Sequence, residues 1–187
     1  MMKEEPADED LMLRYRDGDA GAFEQLYLRH KGGLYRYLLC QCHDTGMAEE
    51  LFQDVWMKVI DARCRYEIRA KFTTWLYQVA RNRMIDHYRR QSGSGMRQDI
   101  PDSNVEAVAG NYHDQPQQQA EMHEQIEVLA QLIDALPEEQ REAFILREEA
   151  GMSVADIAGV TGVNAETAKS RLRYAVDKLR QGLSRGN

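Results

Sequence analysis

The sequence contains few of the residues that build covalent or irregular frameworks, with only 3 cysteines and 4 prolines among 187 residues. An odd number of cysteines, Cys40, Cys42 and Cys64, set in helical patterns argues against a disulfide framework and favours a reducing cytoplasm. Charged residues interrupt every apolar run, and the N-terminus is acidic and polar, so we expect neither a signal peptide nor membrane insertion.

Alternation of apolar and polar residues, the pattern of a half-buried strand, is also missing. Apolar residues instead recur at helical spacing, which predicts an all-α protein. We predict helices beginning near Asp8, over Ala20–Cys42, from about Thr45 to Arg63 and over Phe72–Arg90. The prolines lie outside the strongly periodic segments, apart from Pro137 at a predicted helix start.

Positive charge is in deficit overall, since the net charge is −7. Such a chain repels a polyanion, so we expect the isolated protein to bind DNA poorly and to need a partner. The charge is unevenly distributed, however: 81–90 and 169–185 are locally basic, while 92–127 is acidic. The two basic segments can therefore contact nucleic acid although the chain as a whole is acidic.

A change of composition divides the chain. From Gln91 onward Ser, Gly, Asp, Asn and Gln dominate, with Pro101 and Pro116 among them. This composition predicts a flexible acidic linker over 92–120, because it cannot bury enough apolar surface to fold. We therefore predict two small helical domains, 8–91 and 121–187, joined by that linker.

The second domain contains a predicted helix-turn-helix. Ser153 and Asp156 form a capping box at the start of one helix, Gly162 ends it, and Asn164 caps the next. The outer arc of the second helix is polar and partly cationic: Glu166, Thr167, Lys169, Ser170, Arg173 and Tyr174, with Arg171 and Lys178 at its margin. The alternative is a helical hairpin with a solvated face. We favour DNA contact, because Lys and Arg reach guanine edges and phosphates in the major groove.

The predicted helix over Phe72–Arg90 interleaves aromatic and basic side chains. Aromatic rings stack on unpaired bases for about 1–3 kcal/mol per base, while guanidinium groups hold the backbone. This pattern favours single-stranded nucleic acid, and we expect Tyr66, Tyr77 and Asn82 to contact bases. For Trp75 a core position is an equally good interpretation.

Cys40, Cys42 and His43 raise the alternative of a metal or redox site. Two cysteines one residue apart on a helix point in different directions, and no second ligand pair lies nearby. Burial of small thiols is the favoured interpretation, and we predict no metal site and no cofactor.

These modules, taken together and in order, resemble the extracytoplasmic-function sigma factors, the short two-domain members of the sigma-70 family. The resemblance spans nearly the whole chain and rests on AEELFQDVWMKVI, FTTWLYQVARNRMIDHYRR and the segment from LPEEQREAF to YAVDKLR. It implies a region 2-like bundle over 8–91 and a region 4-like helix-turn-helix over 121–187. The implied function is to bind bacterial RNA polymerase core, direct it to promoters and assist melting.

The resemblance also implies site residues. For docking on the clamp of the largest polymerase subunit they are Glu50, Leu51, Gln53, Asp54 and Trp56. For the melted minus-ten element they are Tyr66, Phe72, Trp75, Tyr77, Arg81, Asn82, Asp86, Arg89 and Arg90, with Tyr66 beside a pocket for a flipped base. For the duplex minus-thirty-five element they are Thr167, Lys169, Ser170, Arg171, Arg173 and Tyr174. Further implied partners are the polymerase flap and an anti-sigma factor.

A different functional class remains open. The chain could be a helix-turn-helix regulator that binds operator DNA without polymerase. An enzyme is disfavoured, because the sequence offers no nucleotide-binding loop and no nucleophile with a base at recognised spacing.

Overall fold

The computed structural model describes residues 5–93 and 126–185, and every regular element within these ranges is helical. The all-α prediction is therefore confirmed. Most of the predicted linker lies outside the described residues. The helices are α1 (Asp8–Arg16), α2 (Ala20–Cys42), α3 (Thr45–Ala62), a short 3-10 turn (Arg63–Arg65), α4 (Phe72–Gly93), α5 (126–134), α6 (Glu138–Ala150), α7 (Val154–Thr161) and α8 (Ala165–Arg185).

Local capping signals place the helix-turn-helix as predicted. The Ser153 side chain accepts from the Asp156 backbone N–H, and the Asp156 carboxylate accepts from the Ser153 N–H, which completes the capping box of α7. Gly162 ends α7 with a φ of 71°, in the left-handed region that glycine adopts without strain. Asn164 then caps α8, its Oδ1 accepting from the Thr167 N–H at 2.8 Å.

The N-terminal half, residues 5–93, packs α1 to α4 around one core. Leu26, Leu34 and Leu38 of α2 are fully buried, as are Val55 and Val59 of α3. Burial of such a side chain contributes about 1.5–3 kcal/mol relative to exposure. Against this core lies a cluster of rings in mainly edge-to-face contact: Phe23, Tyr27, Phe52 and Trp56.

The C-terminal half, residues 126–185, shares that core instead of standing apart. Ile145, Leu146 and Ile157 belong to the same buried cluster as the N-terminal half. A smaller cluster, Leu136, Ala175 and Leu179, attaches α8. The sequence predicted two tethered domains but gave no signal for this packing.

Gly33 lies where the two halves come close together. A Cβ at this position would lie 3.0 Å from the Tyr77 hydroxyl and 3.1 Å from the backbone oxygen of Glu149. Glycine therefore lets α2 meet α4 and α6 at a separation that other residues would widen.

Candidate nucleic-acid and polymerase interfaces

A cavity of about 580 Å³ lies beside the N-terminus of α4. It is lined by Lys58, Asp61, Ala62, Arg65, Tyr66, Glu67, Arg69, Ala70, Trp75 and Gln78. The rings of Tyr66 and Trp75 contact each other with centroids 5.4 Å apart. A cavity with aromatic walls and basic side chains at its edge can hold an unstacked base and the phosphate attached to it.

Tyr66 is a largely buried part of this wall, since it is only 6% exposed. Burial raises the pKa of the Tyr66 phenol to about 12, and the carboxylates of Glu9 and Asp8 add to the effect. The hydroxyl is therefore protonated at neutral pH. It has no hydrogen-bond partner in the described part of the chain.

The other predicted minus-ten residues divide into three groups: accessible, buried and already paired. In the accessible group, Trp75 is half-buried at the cavity, and the residues exposed along α4 are Asn82, Asp86, Arg89 and Arg90.

Phe72 and Tyr77 require a correction, because their side chains are 0% and 1% exposed. Phe72 packs against the His30 ring, and Tyr77 against Tyr37 with centroids 5.2 Å apart. They are core residues in this structure and do not reach the surface as base contacts. A signal was present in the sequence: together with Leu76 and Ala80 they form a stripe at helical spacing.

Arg81 forms the third group, because it is already paired. Its Nε donates to Oε1 of Glu142 at 2.9 Å, and the Tyr37 hydroxyl donates to the same oxygen at 3.0 Å. The Glu142 side chain is only 8% exposed. A carboxylate from the C-terminal half thus holds the Arg81 guanidinium, which was predicted to contact the minus-ten strand.

Further polar contacts join the two halves. Lys71 Nζ lies 2.9 Å from the Asp156 carboxylate, and Gln78 donates to the backbone oxygen of Gly159 at 3.1 Å. The hydrogen bond from Lys71 lowers the pKa of Asp156 to about 2, so this carboxylate is ionised at any physiological pH. Through these contacts, α7 of the helix-turn-helix packs against α4.

The predicted polymerase-docking residues lie on α3. Glu50 and Gln53 are exposed, and Asp54 is half-buried and accepts from Arg83 Nη2 at 2.5 Å. Arg83 was not predicted as a partner, since the pair spans 29 residues and no local pattern shows it.

Leu51 and Trp56 require a correction, because they are only 2% and 5% exposed. They support the α3 surface from beneath and do not form it. Leu51, Val55 and Val59 recur at intervals of four, and this apolar stripe is the signal that separates them from Glu50 and Gln53.

The predicted minus-thirty-five residues share α8. Lys169, Arg173 and Tyr174 are exposed, and the Arg173 guanidinium lies 5.0 Å from the centre of the Tyr174 ring. Thr167 and Ser170 are half-buried at the edge of this face. Arg171 pairs with Glu139 at 3.0 Å, which ties α8 to α6.

Burial raises the pKa of two of the cysteine thiols. It raises the pKa of Cys40 to about 11 and that of Cys42 to about 12, so neither forms a thiolate readily at neutral pH. Over residues 5–93 and 126–185, no group of three His, Cys, Asp or Glu side chains is arranged to hold a metal ion. Over the same residues, no helix has the length and apolar character needed to span a membrane.

Comparison with family models defines the class of protein. The Sigma-70 region 2 model matches residues 26–93, and the Sigma-70 region 4 model matches residues 126–179. The chain therefore has the two-module organisation of sigma-70-type factors, with α1 lying ahead of the region 2 match.

Full-length relatives narrow this class. The chain is 30% identical over 185 residues to the RNA polymerase sigma-H factor of Pseudomonas aeruginosa, covering 95% of this chain and 96% of that protein. It is 33% identical over 180 residues to the ECF RNA polymerase sigma factor RpoE of Cereibacter sphaeroides, covering 93% of each. The chain belongs to the extracytoplasmic-function subfamily of sigma-70 RNA polymerase sigma factors.

Two solved structures share the fold. One is CnrH in complex with the cytosolic domain of CnrY, with a TM-score of 0.66, 21% identity, and coverage of 97% of this chain and 100% of that one. The other is the sigma factor RpoE of Bartonella quintana with the anti-sigma factor NepR, with a TM-score of 0.67, 24% identity, and coverage of 87% and 96%.

Proposed function

We propose that this chain binds bacterial RNA polymerase core, directs it to specific promoters and assists promoter melting, without catalytic activity of its own. One observation carries the proposal. The Tyr66–Trp75 cavity lies beside the polar face of α4 in one half, and a helix-turn-helix with Lys169 and Arg173 exposed lies in the other. One half suits unpaired bases and the other suits a major groove.

The N-terminal half would dock on the clamp of the largest polymerase subunit through Glu50, Gln53 and Asp54. A carboxylate and an amide on an exposed helix pair well with a basic surface. Asp54 enters this role already ion-paired with Arg83, whose side chain is 22% exposed. On docking, a basic group of the clamp would then replace Arg83 as the partner of Asp54.

The same half would capture the melted minus-ten strand. One base would enter the cavity against Tyr66 and Trp75. Asn82, Asp86 and Arg89 lie exposed further along α4, where they would meet neighbouring bases and phosphates. Arg81 would contribute only after leaving Glu142.

The C-terminal half would place the start of α8 in the major groove of the minus-thirty-five element. Lys169 and Arg173 are exposed donors, and Tyr174 is 51% exposed beside them. A contact between this half and the polymerase flap, an anti-sigma factor as a regulatory partner, and action in the cytoplasm complete the proposal.

The test compares promoter binding by the purified chain with and without core polymerase. Sequence-specific binding should require core, because the net charge of −7 opposes DNA binding by the chain alone. Tight specific binding of duplex DNA by the chain alone would favour the operator-binding regulator instead.

A docking variant sharpens this test. Asp54→Ala should weaken core association by about tenfold, the loss expected for one charge-assisted contact. Glu49→Ala removes an exposed carboxylate from the same helix and serves as the matched control. Equal pull-down of core by Asp54→Ala and wild type would remove the assignment of Asp54 to docking.

A further inference from the structure

The helix that carries the proposed minus-ten contacts cannot cap its own N-terminus. Its first helical hydrogen bond runs from the Trp75 N–H to the Lys71 oxygen, which makes Lys71 the capping position. A lysine side chain has only donors, so it cannot accept from the free backbone N–H groups of the first turn. These N–H groups therefore depend on water or on an acceptor from elsewhere in the chain.

Glu9 of α1 supplies that acceptor. Its Oε1 accepts from the Phe72 N–H at 2.6 Å, across 63 residues of sequence and in a partly buried setting. A carboxylate at a helix N-terminus stabilises it both through this charge-assisted bond and through the helix dipole. The start of α4 is therefore fixed by a helix outside the region 2 match.

The position fixed in this way governs the cavity. Phe72 packs against Trp75 with centroids 5.8 Å apart and against Tyr66 at 6.5 Å, and these two rings form the aromatic wall. The charge of Glu9 also reaches the Tyr66 hydroxyl, where it helps to raise the phenol pKa. Glu9 thus acts on Phe72 through a hydrogen bond and on Tyr66 through its charge, although it does not line the cavity.

We propose that Glu9 is a positioning residue for base selection: it holds the first turn of α4 so that Tyr66 and Trp75 keep the separation that one base fits. This inference rests on the proposed function, because it assumes that a promoter base enters the cavity. Loss of the bond lets the first turn of α4 fray, and the cavity then accepts the wrong bases more readily. The base preference falls, while core docking through α3 is unaffected.

Asp8, the neighbouring carboxylate, offers a matched control. It accepts from Arg29 at 2.8 Å and lies 2.7 Å from His30 Nε2, so it attaches α1 to α2. Burial raises the pKa of Asp8, but the hydrogen bonds from His30 and Arg29 outweigh that effect and lower it below 3.8. Asp8→Asn should therefore weaken the docking of α1 and leave the Glu9 bond to Phe72 in place.

The experiment uses full-length protein with core polymerase and a pool of forked DNA duplexes whose unpaired strand is randomised. Sequencing of the bound fraction gives the ratio of best to worst base at every unpaired position. We expect Glu9→Ala to reduce this ratio by about five- to tenfold at the position that enters the cavity, the size of effect that losing one helix cap produces. Glu9→Gln retains an acceptor oxygen and should keep most of the preference.

The outcomes separate the two proposals. Wild-type protein with core but without preference on the unpaired strand would contradict the proposed function. Wild-type preference that Glu9→Ala leaves unchanged would overturn the role of Glu9. Equal loss of preference in Glu9→Ala and Asp8→Asn would also overturn it, because attachment of α1 alone would then explain the effect. Thermal unfolding and core pull-down on each variant show whether the fold and the docking surface are retained.

Discussion

The two halves present surfaces of different construction. In the C-terminal half, one convex face of α8 carries Lys169, Arg173 and Tyr174 side by side. In the N-terminal half, the cavity is concave and assembled from α3, the segment after it and α4, with α1 holding it from outside. A helix face tolerates change elsewhere in the molecule, whereas an assembled cavity depends on every element that positions it. The halves also meet, so substitutions at their contact test how far one surface depends on the other half.

The largest effect is expected at Glu142, the buried carboxylate between the halves. Glu142→Ala leaves the buried Tyr37 hydroxyl and the partly exposed Arg81 without their shared acceptor, and each lost hydrogen bond to a charged group costs about 1.5–3 kcal/mol. Chemical denaturation measures this loss. Because Arg81 is released, the variant should also bind single-stranded DNA more tightly than wild type does.

Glu148→Ala is the control for Glu142, since it removes an exposed carboxylate from the same helix. Its stability should stay within about 0.5 kcal/mol of wild type. A Glu142→Ala protein as stable as the Glu148→Ala protein would show that the halves are not joined at this carboxylate in solution.

The next largest effect is expected at Gly33. An added methyl group meets the Glu149 backbone oxygen at 3.1 Å, and overpacking of this kind costs about 1–3 kcal/mol. Gly33→Ala should therefore lower the unfolding temperature. Gly159→Ala adds the same methyl group where nothing lies within 4 Å, and it should not lower the unfolding temperature. Equal behaviour of the two variants would contradict the close approach at Gly33.

A smaller and purely local effect is expected on α8. Arg173→Ala should weaken binding of holoenzyme to promoters with a minus-thirty-five element by about 1–3 kcal/mol, without changing stability or core affinity. Its side chain is exposed and lies over the neighbouring Tyr174 ring. An equal loss of core binding, measured by pull-down, would mean that the wrong face of α8 has been assigned.

The contrast between the halves also explains what the sequence could predict. The capping box of Ser153 and Asp156, the end of α7 at Gly162 and the cap at Asn164 involve residues within one helical turn, so local pattern was sufficient. The cavity was expected at Tyr66 only through family resemblance. Its support from Glu9 lies 63 residues from Phe72, and no periodicity reports such a distance.

The same limit explains why Tyr77 was misassigned as a base contact. Tyr77 and Trp75 occur two residues apart in a basic helix, and their residue types suit either base stacking or a core. Only the packing of α2 and α6 against α4 decides that Tyr77 is buried while Trp75 borders the cavity. The contact between Arg81 and Glu142, 61 residues apart, belongs to that packing and was equally beyond a local pattern.

The smallest effect is expected from pH at the junction of α2 and α5. His43 ends α2 in the left-handed conformation, with φ of 53°, and its Nδ1 lies 3.8 Å from the Asp134 carboxylate. Burial lowers the pKa of His43 and the charge of Arg141 lowers it further; the attraction of Asp134 works in the opposite direction but does not prevail.

A histidine whose pKa is lower when folded than when unfolded favours the folded state while it is neutral. That contribution is complete above the unfolded value of about 6.5 and is lost as the pH falls through the folded value. Unfolding temperature should therefore fall between about pH 7.5 and about pH 5.5, and His43→Asn should show a smaller fall over this interval. Asparagine tolerates the left-handed conformation, so this substitution removes the titration without straining the end of α2. If both proteins lose stability equally on acidification, the pH response belongs to other groups and the contact between α2 and α5 is insensitive to protonation.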